Sequence, residues 1–396
     1  MANKYDILEI SERAKLDKAN GNQVINGCVG TFKDDNHVLI SFPSVKEYLV
    51  KYNTNYLDYS RVIGPASFLS GAKKWFFNKD YQEITENKHL FEAATIGGTG
   101  AVYDIFKYYS DSHGVTIISD ICWPNYFTIA KNTNLEYLTY PLFLNNKFNF
   151  IDLEKSIISA LTKVDKVLLV INDPCQNPTG YSFSEEEYKT LFDLVNKYNR
   201  ENKVVDLLFD IAYIDYSYTK PLLLNYLKKF YPFNIHLAFS CSKTFGIYGL
   251  RVGGLISFLK SVEEKTRLSD AIFDIARGSI SSPNGGATNA LSKLFDSDSA
   301  VEAMRLQLVE ERNFLKSRAL NALQIMNDNK IEYLPYSAGF FITIVTKINA
   351  YALEDNLEKM HLYVVPIAKN LVRIAICSLS VNEISLIAKA IRNFNV

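Results

Sequence analysis

The sequence contains few cysteines, and they are not arranged in pairs. Five residues are cysteine, and no two of them form a C-x-x-C motif. Disulfide frameworks and cysteine-based zinc sites depend on such spacing, so neither is expected here. The five histidines also lack ligand spacing, and no metal is predicted. A chain without disulfides is typical of a reducing compartment, which predicts a cytoplasmic protein.

The sequence also lacks net charge and long apolar runs. Lys and Arg number 43, and Asp and Glu number 43, so there is no broad positive field for nucleic acid or an anionic membrane. The longest apolar runs are strand-sized, such as residues 167–171, and none approaches the roughly 20 residues of a membrane span. The first residues contain no apolar stretch of signal-peptide length, so no signal peptide is expected. We therefore expect neither nucleic-acid nor membrane partners.

The composition is that of an ordinary folded protein, and its middle part alternates apolar runs with helical patterns. Ser184 and Glu187 form a capping-box pattern at the start of one such helix, between two apolar runs. Strand–helix–strand alternation predicts a parallel α/β sheet. The predicted buried strands are VTIISD (115–120), KVLLVIN (166–172), VVDLLFD (204–210) and IHLAFS (235–240).

The last hundred residues have a different pattern, which predicts a smaller α+β domain. A long amphipathic helix is predicted over residues 301–323, and a final helix begins at Ser380 with Glu383 as its capping partner. Between them lie the strand-like segments YSAGFFITIV and LVRIAIC. The predicted division is a large domain of residues 43–290 and a small domain built from residues 1–42 and 291–396.

Reactive side chains follow the predicted strands. Asp210 and Tyr213 come after the third strand, Lys243 after the fourth, and Asn177 after the second. In open parallel sheets, ligands bind beyond the carboxyl ends of the strands. A lysine amine there can form a Schiff base with an aldehyde, and a buried carboxylate can keep a pyridine nitrogen protonated. The lysine can then also move a proton between substrate and cofactor.

A glycine-rich segment supplies a candidate phosphate site. Gly97-Gly98-Thr99-Gly100 precedes a helical pattern, and backbone N–H groups at a helix start favour an anion. Ser240 and Arg251 flank Lys243 and would complete the cradle. The competing interpretation is a plain turn before a helix, although neither a Rossmann nor a P-loop pattern is present.

Several blocks, in order and over most of the chain, resemble one enzyme family. The blocks are GTFKD (30–34), NYL (55–57), GGTGA (97–101), CWPNY (122–126), NPTG (177–180), DIAY (210–213), SCSKTFGIYGLRVG (240–253) and VRIAI (372–376). They resemble the aspartate-aminotransferase-like, fold-type I pyridoxal-phosphate (PLP) enzymes. The resemblance implies a mostly parallel seven-stranded sheet sandwiched by helices, a small α+β domain, and a homodimer with shared active sites. It also implies transfer of an amino group between an L-amino acid and a 2-oxo acid.

The resemblance assigns roles residue by residue. For the cofactor, it implies Lys243 as the covalent anchor and Asp210 as the partner of the ring nitrogen. It places Tyr213 and Asn177 on the ring oxygen and Trp123 stacked on the ring. The implied phosphate ligands are Gly98, Thr99, Ser240 and Arg251, with Tyr56 reaching across from a second subunit. For the substrate, it implies Arg373 on the α-carboxylate, with Asn177, Trp123, Gly30 and Phe341 nearby. Two residues depart from the family's pattern. Tyr126 stands where many members have a histidine that supports the pyridine-binding aspartate, and Gly97 stands where a serine or similar residue often adds a phosphate contact.

Arg277 bears on the choice of substrate. It lies four residues before Ser281, and a similar spacing in the dicarboxylate-specific branch carries the arginine that binds the distal carboxylate from the neighbouring subunit. This resemblance predicts aspartate and glutamate, with oxaloacetate and 2-oxoglutarate, and leaves aromatic amino acids open. The competing interpretation of Arg277 is a surface salt bridge.

Each of these assignments has a simpler competitor. Taken alone, Lys243 could be an ordinary surface lysine, Asp210 could cap a turn after its strand, and Trp123 could be part of the apolar core. Arg373 lies in an apolar strand and needs a buried partner, which a structural carboxylate would also supply. For the whole protein, the alternatives are a β-lyase or decarboxylase on the same fold, a regulator built on this fold, and a structural protein.

Overall fold

The computed structural model describes residues 4–55, 57–199 and 203–394. The helices are α1 (Ile7–Ala19), α2 (Pro43–Tyr52), α3 (Ala66–Phe77), α4 (Tyr81–Thr85), α5 (Gly97–Asp111), α6 (Asn125–Asn132), α7 (Phe150–Leu161), α8 (Glu185–Tyr198), α9 (Leu223–Leu227), α10 (Cys241–Thr244), α11 (Val262–Ser279), α12 (Gly285–Phe295), α13 (Asp298–Asp328), α14 (Ala350–Glu358) and α15 (Val381–Phe394). Short 3₁₀ helices lie at Asn53–Asn55, Asn78–Asp80, Ile214–Tyr216, Tyr248–Leu250 and Ile376–Ser378.

The strands are β1 (Ile25–Asn26), β2 (His89–Ile96), β3 (Val115–Ser119), β4 (Glu136–Tyr140), β5 (Phe143–Leu144), β6 (Lys147–Phe148), β7 (Lys166–Asn172), β8 (Val204–Asp210), β9 (Ile235–Ser240), β10 (Val252–Leu259), β11 (Glu332–Tyr333), β12 (Phe341–Val345), β13 (Leu362–Tyr363), β14 (Val365–Ala368) and β15 (Leu371–Ala375). Within the described ranges, no helix has the length and apolarity needed to cross a membrane.

A seven-stranded sheet forms the centre of the molecule, in the order β2-β10-β9-β8-β7-β3-β4. Neighbouring strands from β9 to β4 are parallel, whereas β10 runs antiparallel to both β2 and β9. The predicted mostly parallel sheet is therefore confirmed.

The strands are buried on both faces, which explains their nearly continuous apolar sequences. Along β7, Leu169 and Ile171 belong to one apolar core, and Leu168 and Val170 belong to the other. Successive side chains of a strand point to opposite faces, so helices must cover the sheet on each side. The predicted bounds of β7, β8 and β9 are correct, and β3 ends one residue earlier than predicted.

Helix caps define two of the predicted helices. Ser184 and Glu187 make both bonds of the capping box before α8. Ser380 and Glu383 make the same reciprocal bonds before α15. The long helix α13 is the exception, because the prediction of residues 301–323 was too short at both ends. Its start is fixed instead by Ser297, whose side chain accepts a bond from the Ala300 amide.

The C-terminal part forms a second sheet in the order β11-β12-β15-β14, with its own apolar core. Strand β1, from the beginning of the chain, pairs with β13. The chain before α2 is thereby attached to the C-terminal part. This pairing is what the predicted small domain requires, and the division at residues 43–290 stays a prediction.

Candidate active site

The carboxyl ends of β7, β8 and β9 open into one cavity. Strand ends of parallel neighbours meet at the same edge of a sheet, so the side chains that follow them converge there. All residues predicted to bind the cofactor line this cavity except Tyr56, which lies outside the described residues. The lining residues are Gly98, Thr99, Trp123, Asn172, Asn177, Asp210, Ala212, Tyr213, Ser240, Lys243 and Arg251.

Lys243 lies in the single turn of α10, directly after β9. Ser240 caps this turn through a bond from the Ser242 amide, and the Tyr216 hydroxyl donates to the Lys243 carbonyl at 3.1 Å. Burial and, to a smaller extent, the nearby Arg251 lower the pKa of Lys243 to about 8, while Asp210 acts in the opposite direction. A lysine amine with such a pKa is partly unprotonated near neutral pH, which is the nucleophilic form.

Asp210 ends β8 and is 7% exposed. Its Oδ2 accepts a hydrogen bond from the Tyr126 hydroxyl at 2.6 Å, and its Oδ1 accepts one from the Ala212 amide at 3.1 Å. Burial raises the pKa of Asp210, whereas these two bonds and Lys243 lower it. A buried carboxylate with neutral partners favours a cation beside it.

Asn172 is a site residue that the sequence interpretation missed. It is the last residue of β7, and its Nδ2 donates to the Asp210 carbonyl at 2.8 Å. Its Oδ1 accepts a hydrogen bond from the backbone N–H of Asn177 at 2.7 Å. One side chain therefore joins the end of β8 to the segment that follows β7. The strand-end reasoning that selected Asp210 would also have selected Asn172, because it ends the preceding strand.

The glycine-rich segment forms a close backbone cradle at the start of α5. Gly97 has a φ of +63°, and a Cβ there would lie 2.8 Å from Nη2 of Arg251. A Cβ on Gly253 of the adjacent strand would lie 2.5 Å from the Gly97 carbonyl carbon. Arg251 itself is held by Nη1 donating to the Tyr248 carbonyl at 3.1 Å. The start of helix α5 and the guanidinium of Arg251 together form a candidate anion-binding site.

Arg373 lies beside the cavity, in β15, and is 3% exposed. Its Nη1 donates to Asn177 Oδ1 at 3.2 Å and its Nη2 to the Cys28 carbonyl, while its buried Nε has no hydrogen-bond partner. The Phe341 ring centroid is 4.4 Å from the guanidinium carbon. A Cβ on Gly30 would lie 2.5 Å from this ring, so Gly30 packs directly on it. Within the described residues Arg373 forms no ion pair, which leaves its charge available to an anionic ligand.

Arg277 is not brought to this cavity by its own chain. It lies in the last turn of α11, is exposed, and donates from Nη1 to Ser281 Oγ at 2.6 Å. Its predicted role requires the cavity of a neighbouring subunit, and stays a prediction.

Comparison with known proteins gives the family. The family model for aminotransferase class I and II matches residues 22–391. The chain belongs to the aminotransferase class I and II family. By this membership the protein is a PLP-dependent transaminase, whose substrates are amino acids and oxo acids.

Individual aminotransferases resemble the chain at low identity. It is 24% identical to tyrosine aminotransferase of Klebsiella pneumoniae, covering 97% of this chain and 96% of that protein. It is 24% identical to aspartate aminotransferase of Escherichia coli K12, covering 82% of each. Among solved structures, an aminotransferase from Anaerococcus prevotii matches with a TM-score of 0.88 at 25% identity, covering 100% of this chain and 97% of that one. The aromatic-amino-acid aminotransferase of Burkholderia pseudomallei, solved covalently bound to pyridoxal phosphate, matches with a TM-score of 0.80 at 20% identity, covering 100% and 98%.

The cavity of this aminotransferase fits PLP in three respects. Lys243 offers a lysine amine of lowered pKa for the aldehyde. Asp210 offers a buried carboxylate that has no ion-pair partner in the described part of the chain, which suits a pyridinium. The start of α5 with Arg251 offers an anion site for the phosphate.

Tyr126 gives a prediction specific to this chain. We expect Tyr126→Phe to raise the dissociation constant of PLP by roughly tenfold or more, since a hydrogen bond to a charged group contributes about 1.5–3 kcal/mol. Without the phenol, the buried carboxylate of Asp210 would be more readily protonated and would attract a cationic group beside it less. PLP binding to the apoenzyme, followed by absorbance, measures the change.

Tyr109→Phe is the matched control for this substitution. Tyr109 is also buried, and its hydroxyl donates to Asp206 on the same strand at 2.5 Å, but neither residue lines the cavity. Equal losses of PLP affinity in the two variants would show that Tyr126 acts on stability alone.

Proposed function

We propose that the protein exchanges an amino group between an L-amino acid and a 2-oxo acid in the cavity around Lys243, with acidic amino acids as its preferred substrates. The observation that carries this proposal is the placement of Lys243 and Asp210 in one cavity with Arg373 beside it. The lysine, the carboxylate and the guanidinium are the three charged groups that this chemistry needs.

The residues divide the work as follows. Bound PLP supplies an electrophilic carbon and a ring that accepts electrons. Lys243 holds the cofactor through Nζ and, when substrate displaces it, takes the proton from the substrate Cα with the same atom. Asp210 keeps the ring nitrogen protonated through its carboxylate, and Tyr126 in turn orients that carboxylate. Tyr213 and Asn177 donate hydrogen bonds to the ring oxygen.

Arg373 binds the substrate α-carboxylate. A guanidinium presents two parallel N–H groups to a carboxylate, and its fixed position orients the Cα–H bond toward Lys243. Phe341 and Gly30 pack against each other beside Arg373 and exclude water from this side of the cavity. Trp123 also lines the cavity and would stack on the cofactor ring.

Arg277 and a second copy of the chain complete the proposed site. Exposed Arg277 on one protomer binds the distal carboxylate of a substrate held in its partner, and Tyr56 contributes from across the same interface. The names of the similar proteins support acidic and aromatic substrates alike. We place the acidic amino acids first because a neutral side chain would leave the guanidinium of Arg277 unpaired.

The test is a single-turnover absorbance measurement on the holoenzyme, mixed in turn with aspartate, glutamate, tyrosine and alanine. Conversion of the cofactor to its amine form by the acidic substrates supports the proposal in full. Conversion by tyrosine as well supports transamination with wider specificity. Release of pyruvate and ammonia without a keto-acid acceptor would favour a lyase instead.

Arg277→Gln tests the substrate assignment. We expect kcat/KM for aspartate to fall by at least about 30-fold, since loss of one partner of a buried charge pair costs about 2 kcal/mol or more. The value for tyrosine should stay nearly constant. Arg267→Gln removes the same charge from an exposed position ten residues earlier on the same helix and serves as the control. Equal losses for aspartate and tyrosine would contradict the assignment.

A further inference from the structure

Residues 27–35, which we call the covering segment, run past the substrate side of the cavity. At its start, the Gly27 carbonyl accepts from the Ala375 amide at 2.8 Å, and the Cys28 carbonyl accepts from Arg373. In its middle, the Phe32 amide donates to the Tyr248 hydroxyl at 3.1 Å. The start of the segment is therefore fastened to the strand that carries the substrate-binding arginine.

The far end of the covering segment is held by the Lys33 amide, which donates to the Cys377 carbonyl at 2.9 Å, and by Arg318 of α13. Its Nη1 donates to the Lys33 carbonyl at 2.9 Å and to the Cys377 carbonyl at 2.9 Å, and its Nη2 donates to Asp35 Oδ1 at 2.8 Å. Lys33 follows Gly30 by three residues, and Cys377 follows Arg373 by four. One guanidinium thus joins the two backbone segments that carry the proposed substrate contacts.

The burial of Arg318 is costly, which indicates a role beyond packing. Its side chain is 1% exposed, whereas the side chain of its one described carboxylate partner, Asp35, is 55% exposed. Its Nε is buried without a hydrogen-bond partner. Removing a guanidinium from water is expensive, and an apolar side chain of similar volume is often no worse for stability. The gain that Arg318 offers is geometric, because its fork contacts carbonyl groups on two segments at once.

We propose that Arg318 is a positioning residue for the substrate carboxylate: it fixes the distance between Gly30 in the covering segment and Arg373 in β15. The proposal rests on the assignment of Arg373 to the α-carboxylate. Every amino-acid substrate has an α-carboxylate, so Arg318 acts on all of them alike. This separates its effect from that of Arg277, which depends on the substrate side chain.

The experiment compares Arg318→Met and Arg318→Lys with wild-type holoenzyme. We expect Arg318→Met to raise KM about tenfold or more for aspartate and for tyrosine, which corresponds to ~1.4 kcal/mol, while kcat and PLP content change little. The KM of Arg318→Lys should lie between those of wild type and Arg318→Met, because an ammonium still reaches one carbonyl but lacks the forked geometry of a guanidinium. A substitution that only destabilised the fold would lower the active fraction, and hence kcat, and leave KM unchanged.

Amide hydrogen exchange gives a second readout that needs no catalysis. The Phe32 and Lys33 amides are bonded to Tyr248 and to the Cys377 carbonyl, and we expect both to exchange faster in Arg318→Met and Arg318→Lys. If wild-type enzyme converts neither amino acid, the proposed function fails. Amide exchange then still tests whether Arg318 holds the covering segment against the segment around Cys377. Unchanged KM or unchanged exchange in both variants would overturn the proposal.

Arg13→Met is the matched control. Arg13 also fastens the N-terminal part to the C-terminal part, through Glu354 at 2.9 Å and Glu358 at 2.8 Å on α14, but it does not line the cavity. Its loss should leave KM and the exchange of Phe32 and Lys33 unchanged. Equal effects of the two arginine substitutions would show that Arg318 is only a general anchor of the fold, and would likewise overturn the proposal.

Discussion

We expect Lys243→Ala to abolish turnover and to remove the visible absorbance that PLP acquires on covalent binding. The variant should lose the whole rate enhancement that the lysine supplies, because the same amine both binds the cofactor covalently and transfers a proton. General acid–base catalysis alone typically supplies about 10²–10⁴-fold in rate, and the covalent role adds to it. No other lysine lines the cavity among the described residues, so no neighbouring amine replaces it. Stopped-flow turnover and an absorbance spectrum of the purified variant measure both effects.

Lys166→Met is the control for this substitution. Burial lowers the pKa of Lys166 as well, but its amine lies over the rings of Tyr108 and Tyr109, outside the cavity. This variant should keep the cofactor absorbance and turnover per folded molecule. Normal turnover by Lys243→Ala would refute the proposed mechanism.

Asp210→Asn is expected to have the second largest effect. The amide keeps the shape of the carboxylate but carries no charge, so the ring nitrogen of PLP is no longer held protonated. Loss of one preorganised electrostatic group in an active site costs about 2.7–4 kcal/mol, and we therefore expect kcat to fall by at least about 100-fold. The proton transfer at the substrate Cα should become rate-limiting. Single-turnover absorbance measures this as a slower conversion of the cofactor by the amino acid.

Asp206→Asn supplies the comparison for Asp210→Asn. Asp206 is buried on the same strand, four residues earlier, and accepts bonds from Tyr109 and from Asn234. Its substitution should lower the free energy of unfolding and leave kcat per folded molecule within a few-fold of wild type. If both substitutions lowered kcat equally, the charge of Asp210 would have no special role.

The proposed site thus depends on residues at two distances from the substrate. Lys243, Asp210 and Arg373 supply the reacting or binding groups, and other side chains hold Asp210 and the segments around the cavity. Tyr126 holds the carboxylate of Asp210, Asn172 joins the strand ends that carry Asn177 and Asp210, and Arg318 fastens the segment beside Arg373. Variants of these supporting residues should change affinity and KM more than they change the chemical step.

The sequence by itself determined four of the seven strands of the central sheet and the residues at its edge. The strands β7, β8 and β9 were predicted with correct bounds because fully buried strands require continuous apolar runs that end in polar residues. Their order in the chain also placed Asp210 and Lys243 together, since the ends of neighbouring parallel strands share one edge. The family followed from the same blocks.

Only the tertiary structure decided the contacts between segments that are distant in the chain. The bond from Tyr109 to Asp206 spans 97 residues, and that from Arg318 to Lys33 spans 285. Neither has a local signal, because a buried tyrosine or arginine has the same sequence environment whichever partner it meets. The length of α13 was missed for a related reason: its ends are set by the Ser297 cap and by packing rather than by amphipathic spacing. Local periodicity determines secondary structure, whereas the partners of buried polar groups are determined by how the elements pack.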